Sequence, residues 1–448
     1  MSDTHSPPPG PSPEDRRSGK QSTFLKQSFW SVLIKAASLL LGFVTVVLLA
    51  RVLGKDAYGI YAVVFATMTV LSIPAALGAP NLMVRETAKT LEAGQTERLG
   101  ALWRQGDMFV LISSIAVVAG LVVWLALSTP SQTYLIAFLA GLALVPLRAF
   151  VALRGGVLRG LGKVVAGQIP EFLLRPALFL ALALVLAVML QDHLDATTTL
   201  VAHSIAALLA LVGVIALQRK LTPPGTSGGP SPIGMGAMLM ASGAMGLVAG
   251  AQVLNNNLDV MMLGAMRESG EAGIYKVAAS TALLVSFGLQ AVNQVLMPRV
   301  AASHKRGDLQ AMKTVIRQSA RLSLGLAAAS AVILIAMGPW FLETAFGAEY
   351  RAAYPALVIL VGGQLLNAAF GPVISVLNMT GHERDTLKGV LIACGLNVAL
   401  NALLIPPFGV IGAASATAAT LVCWNAILFW RVRQRLGLNA SAFGGRAR

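Results

Sequence analysis

The sequence predicts an all-α integral membrane protein with twelve transmembrane helices in two six-helix bundles. Three observations carry that expectation. Hydrophobic residues make up 56% of the 448 positions and charged residues only 12%, with a mean hydropathy of +0.73. A soluble domain carries about 25% charged residues, because its surface needs them. The apolar residues also fall in runs of about 20, the length of helix that crosses a hydrocarbon core of about 30 Å. Finally, the order of motifs in the first half recurs in the second.

Taken in order, the spans fall at about 28–50, 57–83, 107–128, 132–153, 168–190 and 197–217, then 233–264, 273–297, 319–340, 353–379, 386–405 and 410–431. Lipid satisfies no backbone hydrogen bond, so spans must be helices or a closed barrel, and continuous apolar runs of this length mean helices. The ends and the joint have a different composition. Residues 1–24 are polar and rich in Pro and Ser, and read as a disordered tail. They lack the cleavage site of a signal peptide. Residues 25–217 form the first bundle and 233–432 the second. The Pro/Gly/Ser-rich stretch within 218–232 reads as a flexible linker, and 433–448 as a second tail. Arg85–Gly106 and its counterpart Pro298–Gln318 have the length of a short amphipathic helix on the membrane surface.

The net charge of +15 suggests nucleic acid or an anionic surface when taken alone. Here the charges sit between the apolar runs, so topology explains them and no nucleic-acid partner is expected. With the N-terminus in the cytoplasm, 26 of the 34 Lys and Arg residues lie in cytoplasmic segments and five lie opposite. Basic residues concentrate on the cytoplasmic side, so both termini are expected there, in a bacterial inner membrane. Lys35, Arg148 and Arg175 remain within spans. Cys394 and Cys423 both lie in apolar segments, without metal-ligand spacing or a disulfide framework.

The internal repeat is ordered. Leu53-Gly54, four residues, then Gly59-Ile60-Tyr61 matches Leu263-Gly264, eight residues, then Gly273-Ile274-Tyr275. Arg85 and Arg299 each follow their tyrosine by 24 residues. Gly94…Arg104-Gln105 matches Gly307…Arg317-Gln318, and Leu158…Gly162 matches Leu377…Gly381. Six helices per half is an even number, so both halves share one orientation. Repeats of this kind place a binding cavity between two bundles that rock against each other.

Several of these residues carry a family resemblance. They are Ala50-Arg51-Val52-Leu53-Gly54…Tyr58-Gly59-Ile60-Tyr61, Arg85-Glu86, Leu377-Asn378-Met379-Thr380-Gly381-His382, and the run from Pro406 to Thr417. Across about 25–435 the chain resembles the polysaccharide and O-antigen flippases of the multidrug/oligosaccharidyl-lipid/polysaccharide exporter superfamily. That resemblance implies a V-shaped, two-lobed helical fold like that of the multidrug exporters, with alternating access. It implies export of an undecaprenyl-diphosphate-linked oligosaccharide from the cytoplasmic to the periplasmic leaflet. It also implies membrane lipids as neighbours, and a polysaccharide polymerase and chain-length machinery as further partners. Twelve spans match O-antigen flippases, whereas lipid II flippases have fourteen.

Flipping a headgroup breaks no bond, so no catalytic residue, cofactor or metal is expected. The chain carries no Walker loop, zinc motif or nucleophile elbow. A diphosphate needs cations in a cavity. The candidates are Lys35 in span one, Arg148 in span four, Arg154 at its cytoplasmic end and Arg175 in span five. Lys35 alternatively snorkels to the interface, and Arg154 alternatively serves topology alone. Glu171 stands at i,i+4 spacing to Arg175 and is expected to pair with it. Candidates for gating or coupling are Asp259, expected to pair with Arg51 or Lys276, and the repeat-related Arg85 and Arg299. Asn255, Asn256 and Asn257 are candidates for a sugar path, because amides bond hydroxyls well. His203 reads as packing, and Asn397 and Asn401 share one helical face without an assigned role. Two other functions compete. A cation-coupled drug exporter of the same superfamily needs membrane carboxylates, and span one carries Lys35 and no acid. A membrane oligosaccharide ligase or polymerase needs a sizeable periplasmic loop, and every such loop here is short.

Overall fold

A computed structural model describes residues 13–190 and 193–443, and every structural element in it is helical. The chain runs through α1 (Pro13–Ala76), α2 (Ala79–Glu92), α3 (Leu99–Ser128), α4 (Gln132–Gly141) and α5 (Leu144–Gly160). It continues through α6 (Val164–Ile169), a π turn (Pro170–Leu174), α7 (Arg175–Leu190) and α8 (Ala196–Leu221). The second half holds α9 (Met235–Met266), α10 (Ser269–Lys305), α11 (Leu309–Phe346), α12 (Tyr354–Phe370), α13 (Val373–Met379) and α14 (Glu383–Leu436).

Two of these helices are really pairs. Gly54 breaks α1 with φ 71° and ψ 172°, and Gly409 breaks α14 with φ 51° and ψ −125°. An L side chain resists both conformations and glycine does not. Counting the α9 segment as one span, ten helical stretches among the described residues are long and apolar enough to cross a membrane. Two of the ten are divided by Gly54 and Gly409, which is consistent with the expected twelve. Shorter helices fill single spans: α4 with α5, and α6 with α7. Between α6 and α7 the Arg175 amide bonds to the Pro170 carbonyl, five residues back. Pro176 has no amide hydrogen to offer, which loosens this turn. Outside, large apolar side chains such as Ile115, Trp124, Val188, Trp340 and Leu403 stand exposed, as lipid solvent requires.

The halves meet chiefly through α1, which packs on α9 and α10. At the Gly54 end this contact has no room for side chains. A β-carbon at Gly59 would lie 1.8 Å from the Ser269 carbonyl oxygen, and one at Gly273 2.3 Å from that of Lys55. These are the glycines that the repeat makes equivalent, and they face each other across the joint. Around them Arg51 donates to the Thr344 carbonyl at 2.8 Å, and the Lys55 amide to Glu349 at 2.8 Å. The buried Tyr350 hydroxyl donates to the Ala50 carbonyl at 3.2 Å. The Gly54 end is therefore closed.

Several segments differ in detail from the expectation. Helix α1 begins at Pro13, within the expected tail; residues 1–12 and 444–448 lie outside the described residues. Over the start of Arg85–Gly106, α2 runs to Glu92 as an amphipathic helix that buries Leu82, Met83 and Glu86 and exposes Asn81, Arg85 and Lys89. The counterpart region is the end of α10 and the start of α11. The linker is pinned: Arg98 donates to the carbonyls of Pro230 and Ser231, and Ser227 and the Gly229 amide both donate to that of Glu97. Residues 437–442 also dock. Leu438 and Ala440 are buried, the Ala442 amide bonds to Ala369, and Arg321 bonds to the Ala442 carbonyl. Backbone donors and acceptors in a polar linker or tail still seek partners, and here neighbouring helix ends supply them.

Bulk at the glycine joint is expected to hold the Gly54 end open. In a chain with Cys394 and Cys423 changed to serine, Gly273→Leu should let Thr45→Cys react with an impermeant maleimide from the Gly54 side. Thr45→Cys without the leucine should stay protected, and equal labelling of the two would contradict the closure.

Candidate functional site

A cavity of about 420 Å³ lies between the halves. Its wall is built from α1 on both sides of Gly54, including Ser38, Thr45 and Tyr61, from Arg175 and Phe179 of α7, from His203 of α8, and from Lys276 and Ser280 of α10. Leu39, Leu40, Leu283 and Phe287 give it an exposed apolar rim. Arg175 comes from the first half and Lys276 from the second, and no carboxylate lines the cavity among the described residues. Behind Arg175 a cleft of about 60 Å³ is lined by Arg148, Glu171 and Ser72.

The first half surrounds its cations with rings. The His203 imidazole lies between Phe179 and Phe65, with centroids 3.9 and 4.6 Å away. Its Nδ1 stands 3.0 Å from the Tyr61 hydroxyl and its Nε2 3.0 Å from Arg175 Nη1. The Arg148 guanidinium sits over the Phe65 ring at 5.4 Å, a cation–π contact. Its Nε and Nη1 are buried with no protein partner. Glu171 is near but makes no ion pair with Arg175, because Glu171 sits in the π turn and the wider turn spoils the i,i+4 register.

The second half holds a carboxylate instead. Asp259 Oδ2 accepts from Thr417 at 2.7 Å and from Tyr275 at 2.9 Å, and Oδ1 accepts from Asn401 at 2.7 Å. Asn401 is also bonded to Asn397. All but the half-buried Thr417 are buried. The arrangement repeats that of the first half. Tyr275 follows Tyr61 by 214 residues, and Thr417 follows His203 by 214. Each tyrosine bonds to the residue 142 positions further on. The duplicated position therefore faces cations in one half and an acid in the other.

The candidates from the sequence divide accordingly. Arg148 and Arg175 come together at the cleft behind the cavity, and Arg175 lines both. Lys35 is exposed and does not line it, although it lies on the same helical stripe as Ser38, Leu39 and Gly42, one turn short. Arg154 is committed elsewhere, to Asp107 and Gln218. The expected pair of Asp259 with Arg51 is not made, since hydroxyls and an amide occupy the carboxylate and Arg51 bonds the Thr344 carbonyl. Nor does Asp259 form an ion pair with Lys276 among the described residues, though Lys276 is the next residue after Tyr275. Arg85 bonds its neighbour Glu86, and Arg299 is exposed. The three asparagines do not line the cavity. Consecutive helix residues diverge by about 100°; Asn256 is exposed, Asn257 bonds back to Val253, and the Asn255 oxygen is buried without a partner.

The sequence reading gives Lys276 only as an alternative partner of Asp259, assigns Tyr61 and Tyr275 to no site and takes His203 as packing. The repeat offset is the signal for the tyrosines: applied to Tyr61 and His203, it returns Tyr275 and Thr417.

The fold is that of a two-bundle, multi-pass helical membrane protein. The chain belongs to the polysaccharide biosynthesis protein family, whose model matches residues 24–304. Among curated proteins it is 27% identical over 164 residues to the probable low-salt glycan biosynthesis flippase Agl15 of Haloferax volcanii. That match covers 36% of this chain and 34% of the relative, about a third of each. Among solved structures, the lipid II flippase MurJ in an inward closed conformation superposes with a TM-score of 0.73 at 14% identity, over 90% of this chain and 87% of that one. An inward-facing multidrug resistance MATE family transporter of the MOP superfamily gives 0.66 at 13% identity, over 91% and 98%. The family model thus shows the polysaccharide biosynthesis protein family, and the solved structures show the fold.

Arg154 is expected to act in stability and not in the cavity. Arg154→Ala should lower the thermal midpoint of purified protein, and Asp107→Ala added to it should restore most of the loss, because the lone partly buried carboxylate is removed. Binding of an isoprenyl diphosphate by Arg154→Ala should match the parent within about twofold, the size of a few tenths of a kcal/mol.

Proposed function

We propose that the protein flips a lipid-linked oligosaccharide, carried on undecaprenyl diphosphate, from the cytoplasmic to the periplasmic leaflet of a bacterial inner membrane. One observation carries the reading: the cavity between the halves is lined by a cation from each half and by no described acid. A basic side chain within a span is costly to keep, yet Arg175 and Lys276 line the cavity from either half and Arg148 stands in the adjoining cleft, which suits a ligand bearing several negative charges. A diphosphate takes charge-assisted hydrogen bonds from Arg175 and Lys276, and the apolar rim suits the lipid chain. The name of the archaeal relative, a glycan flippase, supports the same reading.

Alternating access opens the cavity first to one face and then to the other, with the joint of Gly59 and Gly273 as the gate on the periplasmic side. Asp259 is the coupling residue. Its carboxylate is held by neutral donors and no described cation, so a proton or a small cation arriving there changes the charge of the second half. The basic residues in the loops support cytoplasmic termini. The product is polymer precursor on the outer leaflet, for a polymerase and chain-length machinery to use. A drug-cation exporter is disfavoured by the sign of the charges lining the cavity.

Removing the gene from its host should leave polyprenyl-linked saccharides on the cytoplasmic leaflet and deplete surface polymer. Unchanged lipid-linked sugars and polymer would end the flippase reading. In purified protein, Arg175→Ala and Lys276→Ala should each weaken binding of an isoprenyl diphosphate about tenfold or more, the worth of one hydrogen bond to a charged group. Asp259→Asn should leave that binding intact and abolish export in the cell.

A further inference from the structure

The contacts of His203 determine where its hydrogens lie. A guanidinium has donors only and cannot accept a hydrogen bond. Arg175 Nη1 stands 3.0 Å from His203 Nε2, so Nε2 must carry the lone pair. The ring is then neutral with its hydrogen on Nδ1. Nδ1 stands 3.0 Å from the Tyr61 oxygen, so the tyrosine accepts. Its own hydroxyl hydrogen remains free, and Tyr61 lines the cavity. The flanking rings of Phe65 and Phe179 keep the imidazole from turning over.

We infer that His203 is a positioning residue that presents Arg175 and the hydroxyl hydrogen of Tyr61 together to one anionic group in the cavity, forming a phosphate subsite. This rests on the flippase reading and adds two residues to it. The second half is the internal contrast. There Tyr275 has Asp259 and Thr417 as acceptors at 2.9 Å, so its hydrogen stays within the cluster. The same duplicated tyrosine thus offers a donor to the cavity in one half and withholds it in the other. The chemistry recognised is a phosphoryl oxygen, which takes a planar cation and a neutral donor side by side. A sugar hydroxyl is the less fitting ligand, because it gains little from the cation.

The test uses the full chain purified in detergent and radiolabelled farnesyl diphosphate as the probe, with farnesol as the uncharged control. His203→Phe keeps the ring stack and removes both hydrogen bonds. His203→Gln restores an acceptor and a donor. Tyr61→Phe removes the hydroxyl alone. His203→Phe should weaken farnesyl diphosphate binding about tenfold or more, Tyr61→Phe about fivefold to tenfold, and the double variant no more than His203→Phe alone. His203→Gln should stay within about threefold of the parent. Farnesol binding should not change in any of them, which a general loss of packing would not spare. If Arg175→Ala weakens binding and His203→Phe does not, the positioning role is wrong and the flippase reading stands. A His203→Gln variant that is folded but as weak as His203→Phe, or Tyr61→Phe and His203→Phe effects that multiply in the double variant, would also overturn it. If the parent does not bind farnesyl diphosphate, the reading beneath it falls, and this inference with it.

Discussion

A charge at the depth of the hydrocarbon must find its partners inside the protein, because lipid offers none. That constraint organises both halves. In the first, Arg148 and Arg175 are held against Phe65 and His203, and face a cavity. In the second, Asp259 is held by two hydroxyls and an amide. Neither centre is neutralised by a close ion pair. A tight pair would satisfy the electrostatics and leave nothing for a ligand to do. Aromatic faces and neutral hydrogen bonds stabilise the charges only in part, and the remainder is available for binding.

The two centres have a common origin in the duplication. Tyr61 with His203 and Tyr275 with Thr417 occupy matching places, yet one site collected cations and the other an acid. A duplicated bundle has two copies of each pocket, and only one needs to hold the cargo. The second is released to serve a different chemistry while keeping the same helix packing. Lys276 follows Tyr275 directly and lines the cavity, so the tyrosine that holds the acid of the second half is the neighbour of one of the cavity's cations.

The architecture was legible because its causes are local. Apolar runs of the right length give spans, Gly54 and Gly409 mark turns that only glycine enters easily, and the offset of motifs exposes the repeat. The site was legible in part. Arg148 and Arg175 stood out because a basic residue inside a span is rare, whereas Arg154 looked the same in sequence and is satisfied by Asp107. What separated them was the facing helix, α3, which no pattern within span four reports. Asp259 and Arg51 were paired on proximity along the repeat, but hydroxyls from the next span and from the last one occupy the carboxylate. Lys276 was hidden by its nearness to a loop, and the linker and tail by their polar composition, which marks exposure but says nothing of nearby acceptors.

The pinned linker limits how far the bundles can part at that end. Its hydrogen bonds to Glu97 and Arg98 tie it to the first bundle as far as Ser231, and the second bundle begins with α9 at Met235. Three residues, 232–234, are left to span the gap. Fully extended they reach about 10 Å, at roughly 3.3–3.6 Å each. A connection that looks like a slack rope in sequence is in fact a short leash, and it converts a free separation of two bodies into a rotation about a tethered edge.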